Sequence, residues 1–327
     1  MAIYPPFHHS HDDGSPAALQ LLLTAIITWE LIYQFFHYAI KFCLKKHPEW
    51  VFDDSLLSEI VQRKPPQDAR PIGANGNIQN GSSNGNSNNN QKDSLLQAKQ
   101  NLTQRGPSYA TSLIHAIYAT GRGILHLYSL YNVSNLDQVF IPRSYIIEGI
   151  TTSRPAGLEG AKTNIIFFSY LSYDLIHILI QYPKLGGIDT IMHHILFGIC
   201  SVINGTYGIL VFPFGWLIVG EFSTIFLNWR WFLLKSGREK GVWIERVNKL
   251  FALSFFLTRN VVYSLGMIHL FCVGWNELRS LLKVSGVHVG LLGMTVGCML
   301  LGWGLNAVWG YKILNMVARG GGKKKKI

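Results

Sequence analysis

The sequence has few charged residues and few cysteines. Only 14% of its 327 residues are Asp, Glu, Lys or Arg, whereas soluble domains carry about 25%. Its four cysteines, Cys43, Cys200, Cys272 and Cys298, stand alone, so their spacing indicates no disulfide framework and no cysteine-based metal site. This composition excludes an ordinary cytosolic enzyme and a small disulfide-stabilised domain.

Long apolar runs are present instead, and 48% of the residues are hydrophobic. A run of about 20 apolar residues crosses the roughly 30 Å of a bilayer core as a helix. The runs predict an all-α multi-pass membrane protein with seven spans, the fourth and fifth joined by a tight turn at Asn204-Gly205-Thr206. The spans lie at 16–43 and at about 107–131, 163–182, 188–204, 206–233, 249–274 and 286–316.

The formal net charge of +11 is concentrated in the connections between these runs. Basic residues in short loops mark the cytosolic side of a membrane protein. The basic loops predict a lumenal N-terminus and a cytosolic C-terminus. Because this orientation explains the positive charge, we expect no nucleic-acid partner. The predicted organisation is a lumenal tail (1–15), a transmembrane anchor (16–43), a cytosolic insert (44–106), a six-helix domain (107–316) and a cytosolic basic tail (317–327).

Two hydrophilic segments carry further expectations. The Asn/Gly-rich stretch 73–91 has almost no apolar side chains, so we expect it to be disordered. Lys324 and Lys325 lie four and three positions from the C-terminus, as in a dilysine retrieval signal. They predict an endoplasmic reticulum membrane protein that binds retrieval machinery, the alternative being a polybasic segment drawn to anionic lipid.

Polar and ionisable residues inside the spans are costly, which makes each of them a functional candidate. At about 1.5 Å of rise per residue, those on five helices lie about 8 to 18 Å from the cytosolic ends, which predicts one polar cavity open to the cytosol. They are Ser112, His115, Asp174, His177, His193, His194, Glu221, Arg259 and Asn260.

A histidine oriented by a carboxylate can act as a general base toward a hydroxyl or an amine. We therefore assign catalytic roles to His193 and His194, with Asp174 or Glu221 as the orienting partner. The adjacent histidines point about 100° apart, so one enters the cavity while the other contacts a neighbouring helix. Asp174 and His177, three residues apart, share a helix face.

The remaining candidates are assigned to lipid binding. They are Ser112, His115, His177, Asn228 and Arg259. One structural alternative is that Arg259 neutralises Asp174 or Glu221. The others are interhelical hydrogen bonds from polar residues and close helix packing at glycines. The polar residues are Ser112, Asn204, Asn228 and Asn260, and the glycines are Gly290, Gly293 and Gly297. We expect no metal site, because the suitable ligands do not occur in an HExxH or similar spacing.

Five segments resemble the TLC family of membrane proteins, which includes TRAM, ceramide synthases and CLN-type proteins. They occur in the family's order across 107–316, and the chain is most similar to TLC domain-containing proteins of the transmembrane-protein-56 type. The resemblance implies a six-helix core around a lipid-sized cavity, with one anchor helix before it. The segments are SYATSLIHAIYATGRG, FFSYLSYDLIHILIQYPK, IDTIMHHILFG, GEFSTIFLNWRWFL and FFLTRNVVYS.

In ceramide synthases, paired histidines and two later aspartates carry the acyl-CoA-dependent acylation of a sphingoid base. The resemblance maps the pair onto His193 and His194 and one carboxylate onto Glu221, while Thr224 stands where the second carboxylate is expected. This departure counts against ceramide synthase activity, since a general base or a histidine-orienting group is missing.

These observations favour a membrane protein of lipid homeostasis that binds or modifies an acyl lipid or sphingolipid. The alternatives are a ceramide-synthase-like acyltransferase, with acyl-CoA as co-substrate and no other cofactor, and a non-catalytic lipid sensor or scaffold. A transporter is disfavoured because the polar residues cluster on one side of the bilayer. The expected partners are membrane lipids, and a homodimer is an open alternative to a monomer.

Overall fold

The computed structural model describes residues 14–53, 86–133, 154–207, 210–239, 241–272 and 289–322, and every regular element in these ranges is helical. The all-α prediction is therefore confirmed. The tail that carries Lys324 and Lys325 lies outside the described residues. The helices are α1 (Gly14–Lys46), α2 (Pro48–Val51), α3 (Asn86–Val133), α4 (Arg154–Ile180), α5 (Ile188–Tyr207), α6 (Val211–Val219), α7 (Phe222–Lys235), α8 (Val242–Phe255), a π-helical segment (Phe256–Val262), α9 (Tyr263–Cys272) and α10 (Val289–Gly322).

Six stretches of the described chain are long and apolar enough to cross a membrane, which confirms the multi-pass prediction. The predicted span at 107–131, on α3, is not among them. Polar side chains that α3 buries against its neighbours lower its hydropathy, among them Thr111, His115 and His126. The six stretches are Ala18–Lys46, Lys162–Ile180, Ile188–Gly205, Phe214–Lys235, Val242–Cys272 and Val289–Asn315.

Two local expectations were wrong, and one predicted span contains a helix break. Helix α5 continues through Asn204, Gly205 and Thr206 to Tyr207, so the tight turn predicted there is absent. The predicted span 206–233 is divided into α6 and α7, which meet at Gly220 and Glu221. The stretch expected to be disordered is helical from residue 86, where α3 begins, and its first part lies outside the described residues.

The first helix packs directly on the bundle, against α3 and α4. Trp29 is only 5% exposed and clusters with Tyr170 and Tyr173 of α4. Beyond α1, the backbone N–H of Asp53 donates a hydrogen bond of 3.1 Å to the carbonyl oxygen of Ser236. The predicted anchor is thus an integral part of the helical assembly.

Close helix contacts occur at glycines other than those predicted. A Cβ atom on Gly293 or Gly297 would meet nothing within 4 Å, so the close packing expected there was wrong. A Cβ on Gly266 would lie 2.6 Å from the Trp216 ring, and one on Gly310 would lie 2.5 Å from Asn260 Nδ2. The close approaches therefore bring α9 against α6, and α10 against the π-helical segment.

Candidate functional site

A cavity of about 400 Å³ lies between α3, α4, α5, α7, α8, the π-helical segment and α10. Eight of the nine residues assigned to catalysis or lipid binding line it, although they come from five different elements. These eight are Ser112, His115, Asp174, His193, His194, Glu221, Asn228 and Arg259.

His194 is held by hydrogen bonds at both ring nitrogens. Its Nε2 lies 2.9 Å from Asp174 Oδ2, and its Nδ1 lies 2.9 Å from the carbonyl oxygen of Thr190. The Thr190 carbonyl only accepts, so Nδ1 carries a proton. The Nε2 contact then holds one more proton, on either the imidazole or the carboxyl group, and the pair has no net charge in both cases. His194 therefore has no free nitrogen for a substrate.

His193 has a different environment, although it is the next residue on α5. Its ring contacts Phe197, with centroids 4.5 Å apart, and Trp309, with centroids 5.4 Å apart. It makes no hydrogen bond within the part of the chain that the structure describes. Both histidines line the cavity, but the nitrogens of His193 are the ones left for a bound molecule.

Arg259 is fixed by four hydrogen bonds at the junction of α6 and α7. Its Nε donates to the Gly220 carbonyl oxygen at 3.1 Å and to Ser223 Oγ at 3.0 Å. Its Nη2 donates to Glu221 Oε1 at 3.0 Å and to Thr224 Oγ1 at 3.1 Å. Of the two carboxylates proposed as its partner, the structure selects Glu221. Thr224, at the position of the missing carboxylate, also accepts from the guanidinium.

The backbone on both sides of this ion pair departs from regular α-helix. At the break between α6 and α7, the Gly220 carbonyl accepts from Ser223 Oγ at 3.1 Å as well as from Arg259. Arg259 itself lies in the π-helical segment. Single π-helical turns inside α-helices are rare and occur frequently at functional sites. The two irregularities are joined directly, because Arg259 of the π-helical segment donates to the Gly220 carbonyl between α6 and α7.

The cavity mouth carries three residues that the sequence analysis did not assign. Asp189 Oδ2 accepts a hydrogen bond from Trp309 Nε1 at 3.1 Å and lies 3.8 Å from Lys312 Nζ. Asp189 belongs to the segment IDTIMHHILFG and lies four residues before His193, so its position one helical turn away could have identified it from the sequence. Trp309 and Lys312 lie one helical turn apart on α10, within a run that indicates only a membrane span.

His177 lies elsewhere, which corrects its assignment to lipid binding in this cavity. Its Nε2 lies 3.5 Å from Glu30 Oε2, and its ring contacts Tyr33 of α1 at a centroid distance of 4.8 Å. Three residues along a helix advance by about 300°, so His177 is turned about 60° from Asp174. That offset directs it toward α1 instead of the cavity.

Three buried polar atoms of the cavity lining make no hydrogen bond to any described residue. They are Ser108 Oγ, His115 Nδ1 and Asn228 Nδ2. The His115 ring is stacked on Tyr170 with centroids 3.6 Å apart, which fixes the direction of its nitrogens. Buried polar groups are normally paired, so three unpaired atoms in one lining indicate a place for a hydrogen-bonding molecule.

A second, apolar groove of about 590 Å³ adjoins this cavity between α4, α5 and α10. Leu171 and His194 line both spaces. The other walls are almost entirely apolar, with Phe168, Val202 and Met294 among them. In the described ranges, no group of three or more His, Cys, Asp or Glu side chains is arranged to hold a metal ion.

The TLC domain matches this chain over residues 108–315, which include every residue lining the polar cavity. The chain belongs to the TLC-domain family. A curated relative, the TLC domain-containing protein 4 A of Dictyostelium discoideum, is 24% identical over 196 residues, covering 58% of this chain and 71% of the relative. No solved structure matches the chain. The family resemblance is thereby confirmed, and α1 lies outside the matched TLC domain.

Proposed function

We propose that this TLC-domain protein binds a membrane lipid in the polar cavity and acts in lipid homeostasis. The observation that supports this most is the junction at Leu171 and His194, where a polar cavity meets an apolar groove between membrane-spanning helices. A lipid has the same division into a polar head and apolar chains. The head group would lie beside His193 and Arg259, and an acyl chain would lie along the groove.

The proposed orientation places the cavity mouth at the cytosolic face. Lys184, in the connection between α4 and α5, and Lys312 lie at this end of the bundle, and basic residues favour the cytosolic side. With Lys324 and Lys325 as a retrieval signal, the protein would reside in the endoplasmic reticulum membrane. An acyl lipid or sphingolipid made in that membrane would then reach the cavity without leaving the bilayer.

The junction gives a direct test of lipid binding. In Leu171→Trp, the larger ring would take up space in the cavity and in the groove that Leu171 lines, so we expect purified protein to lose its co-purifying lipid as measured by mass spectrometry. Leu179→Trp, on the exposed side of the same helix, is the matched control and should keep it. Equal lipid content in wild type and Leu171→Trp, with both folded, would contradict the proposal.

Acyl transfer is a second candidate, because His193 has free nitrogens beside the cavity. As a general base it would take the proton of a lipid hydroxyl or amine that attacks the thioester carbonyl of acyl-CoA. An ester or amide bond forms, the C–S bond breaks, and the departing thiolate takes the proton back from the His193 imidazolium. Cells expressing wild type, His193→Ala or empty vector would be labelled with a fatty acid and their lipids compared. A product found only with wild type supports catalysis, and identical profiles support a non-catalytic sensor or scaffold.

A further inference from the structure

The carboxyl groups that line the cavity are paired with cationic or protonatable side chains, whereas several hydrogen-bonding atoms of the same lining have no partner among the described residues. Each of its three carboxyl groups lies within 4 Å of a cationic or protonatable partner. The pairs are Asp174 with His194 at 2.9 Å, Glu221 with Arg259 at 3.0 Å, and Asp189 with Lys312 at 3.8 Å. From this contrast we infer that the bound lipid has an uncharged, hydroxyl- or carbonyl-bearing head group. This inference rests on the proposed lipid-binding function.

The charge pairs argue against an ionic head group. An anionic head group beside Arg259 would add a second negative charge next to Glu221, and a cationic amine beside Glu221 would add a second positive charge next to Arg259. Either addition leaves one buried charge without a partner of its own, which is strongly unfavourable away from water. Lys312 is the most accessible cation of the lining, at 64% side-chain exposure, but it lies at the mouth. Among the described residues of the lining, every charged side chain therefore has an oppositely charged or protonatable partner.

The unpaired atoms argue for a neutral polar head group. Asn228 is 2% exposed, and its Nδ2 is a donor that lacks an acceptor among the described residues. Ser108 Oγ and His115 Nδ1, on α3, also lack hydrogen-bond partners among the described residues and line the same cavity. A hydroxyl group both donates and accepts, and an ester or amide carbonyl accepts, so such a head group would satisfy these atoms without disturbing the ion pairs.

The test compares lipids that differ in head-group charge, and its diacylglycerol and phosphatidate probes share both acyl chains. Full-length protein in nanodiscs would be titrated with dioleoylglycerol and N-oleoylsphingosine as neutral probes, dioleoylphosphatidate as an anionic probe, and sphingosine as a cationic probe. Binding would be followed by competition with a photoactivatable diacylglycerol and by the crosslinked residues. We expect both neutral probes to compete at concentrations about tenfold or more below those of the charged probes, and crosslinks to fall on the cavity lining.

Asn228→Leu removes the unpaired donor, so the affinity for dioleoylglycerol should fall about 3- to 10-fold, the effect of one neutral hydrogen bond. Asn306→Leu is the matched control, since Asn306 is also 2% exposed but does not line the cavity. It should leave the affinity unchanged.

The outcomes separate this inference from the function on which it rests. Equal or stronger competition by phosphatidate or sphingosine, or an unchanged affinity in folded Asn228→Leu, would overturn the neutral head group while lipid binding stands. Failure of every probe to bind wild type would overturn the proposed function as well.

Discussion

The indole Nε1 of Trp29 donates a hydrogen bond of 2.9 Å to Ser169 Oγ, and its ring packs edge-on against His115 with centroids 5.7 Å apart. The first helix thereby supports the wall of the cavity, although it lies outside the matched TLC domain. We expect Trp29→Ala to cost about 3–5 kcal/mol of stability and Trp29→Phe about 1 kcal/mol, the value of the hydrogen bond. Thermal unfolding of purified protein measures both.

Phe35→Ala on the same helix is the control for this prediction, because Phe35 is 66% exposed. It should leave the unfolding temperature nearly unchanged. If Trp29→Ala and Phe35→Ala had the same small effect, α1 would be a separate anchor and not part of the bundle.

Substituting Arg259 should destabilise the protein more than substituting its partner Glu221. Arg259→Met leaves the buried Glu221 carboxylate without its cation, and we expect a loss of about 3–5 kcal/mol. Glu221→Gln should cost less, because Arg259 keeps Gly220, Ser223 and Thr224 as acceptors. The double variant Arg259→Met/Glu221→Leu should recover part of the loss. An unfolding temperature for the double variant below that of Arg259→Met would show that the pair is not the source of the effect.

The hydrogen bond between His194 and Asp174 predicts that the loss of stability depends on which residue replaces Asp174. Asp174→Asn keeps a group that can pair with the imidazole, so its cost should be about 1 kcal/mol or less. Asp174→Leu leaves His194 Nε2 unpaired in a buried site and should cost about 1–3 kcal/mol. The comparison needs only unfolding curves of the two variants beside wild type, and equal stability of the two would argue against the bond.

The close approach at Gly266 predicts a steric effect that the sequence did not indicate. In Gly266→Ala the new methyl group would meet the Trp216 ring at 2.6 Å, so α9 or α6 must shift. We expect a loss of about 1–3 kcal/mol, which is usual for overpacking. Gly293→Ala has open space and should be neutral or slightly stabilising, since alanine favours helix. Equal unfolding temperatures for the two variants would refute the assignment.

The sequence predicts which residues line the cavity better than it predicts which of these residues contact one another. Asp174, His193, Glu221 and Arg259 stand out because ionisable groups are rare in apolar runs. Spacing along one helix does not say which carboxylate Arg259 meets, because that depends on how three helices are rotated against one another. The same limit explains the wrong placement of His177, where a 60° offset decided between the cavity and α1.

Backbone irregularities were also beyond the reach of the sequence. The run 206–233 is apolar on both sides of Gly220, so its hydropathy gives no sign that the chain divides there into α6 and α7. The π-helical segment around Arg259 is likewise embedded in a continuous apolar stretch. Both depend on tertiary contacts, with the Arg259 guanidinium donating to the Gly220 carbonyl between them.

The fourfold anchoring of Arg259 has a consequence for how this site can evolve. Three of its four acceptors are uncharged, and they belong to Gly220, Ser223 and Thr224. The guanidinium therefore keeps its position when a carboxylate is added to the cavity or removed from it. Position 224 is already close enough to Arg259 to receive an acidic side chain, as a single substitution would supply. A substitution at position 224 would therefore change the charge of the cavity while the Arg259 guanidinium keeps its contacts with Gly220, Ser223 and Glu221.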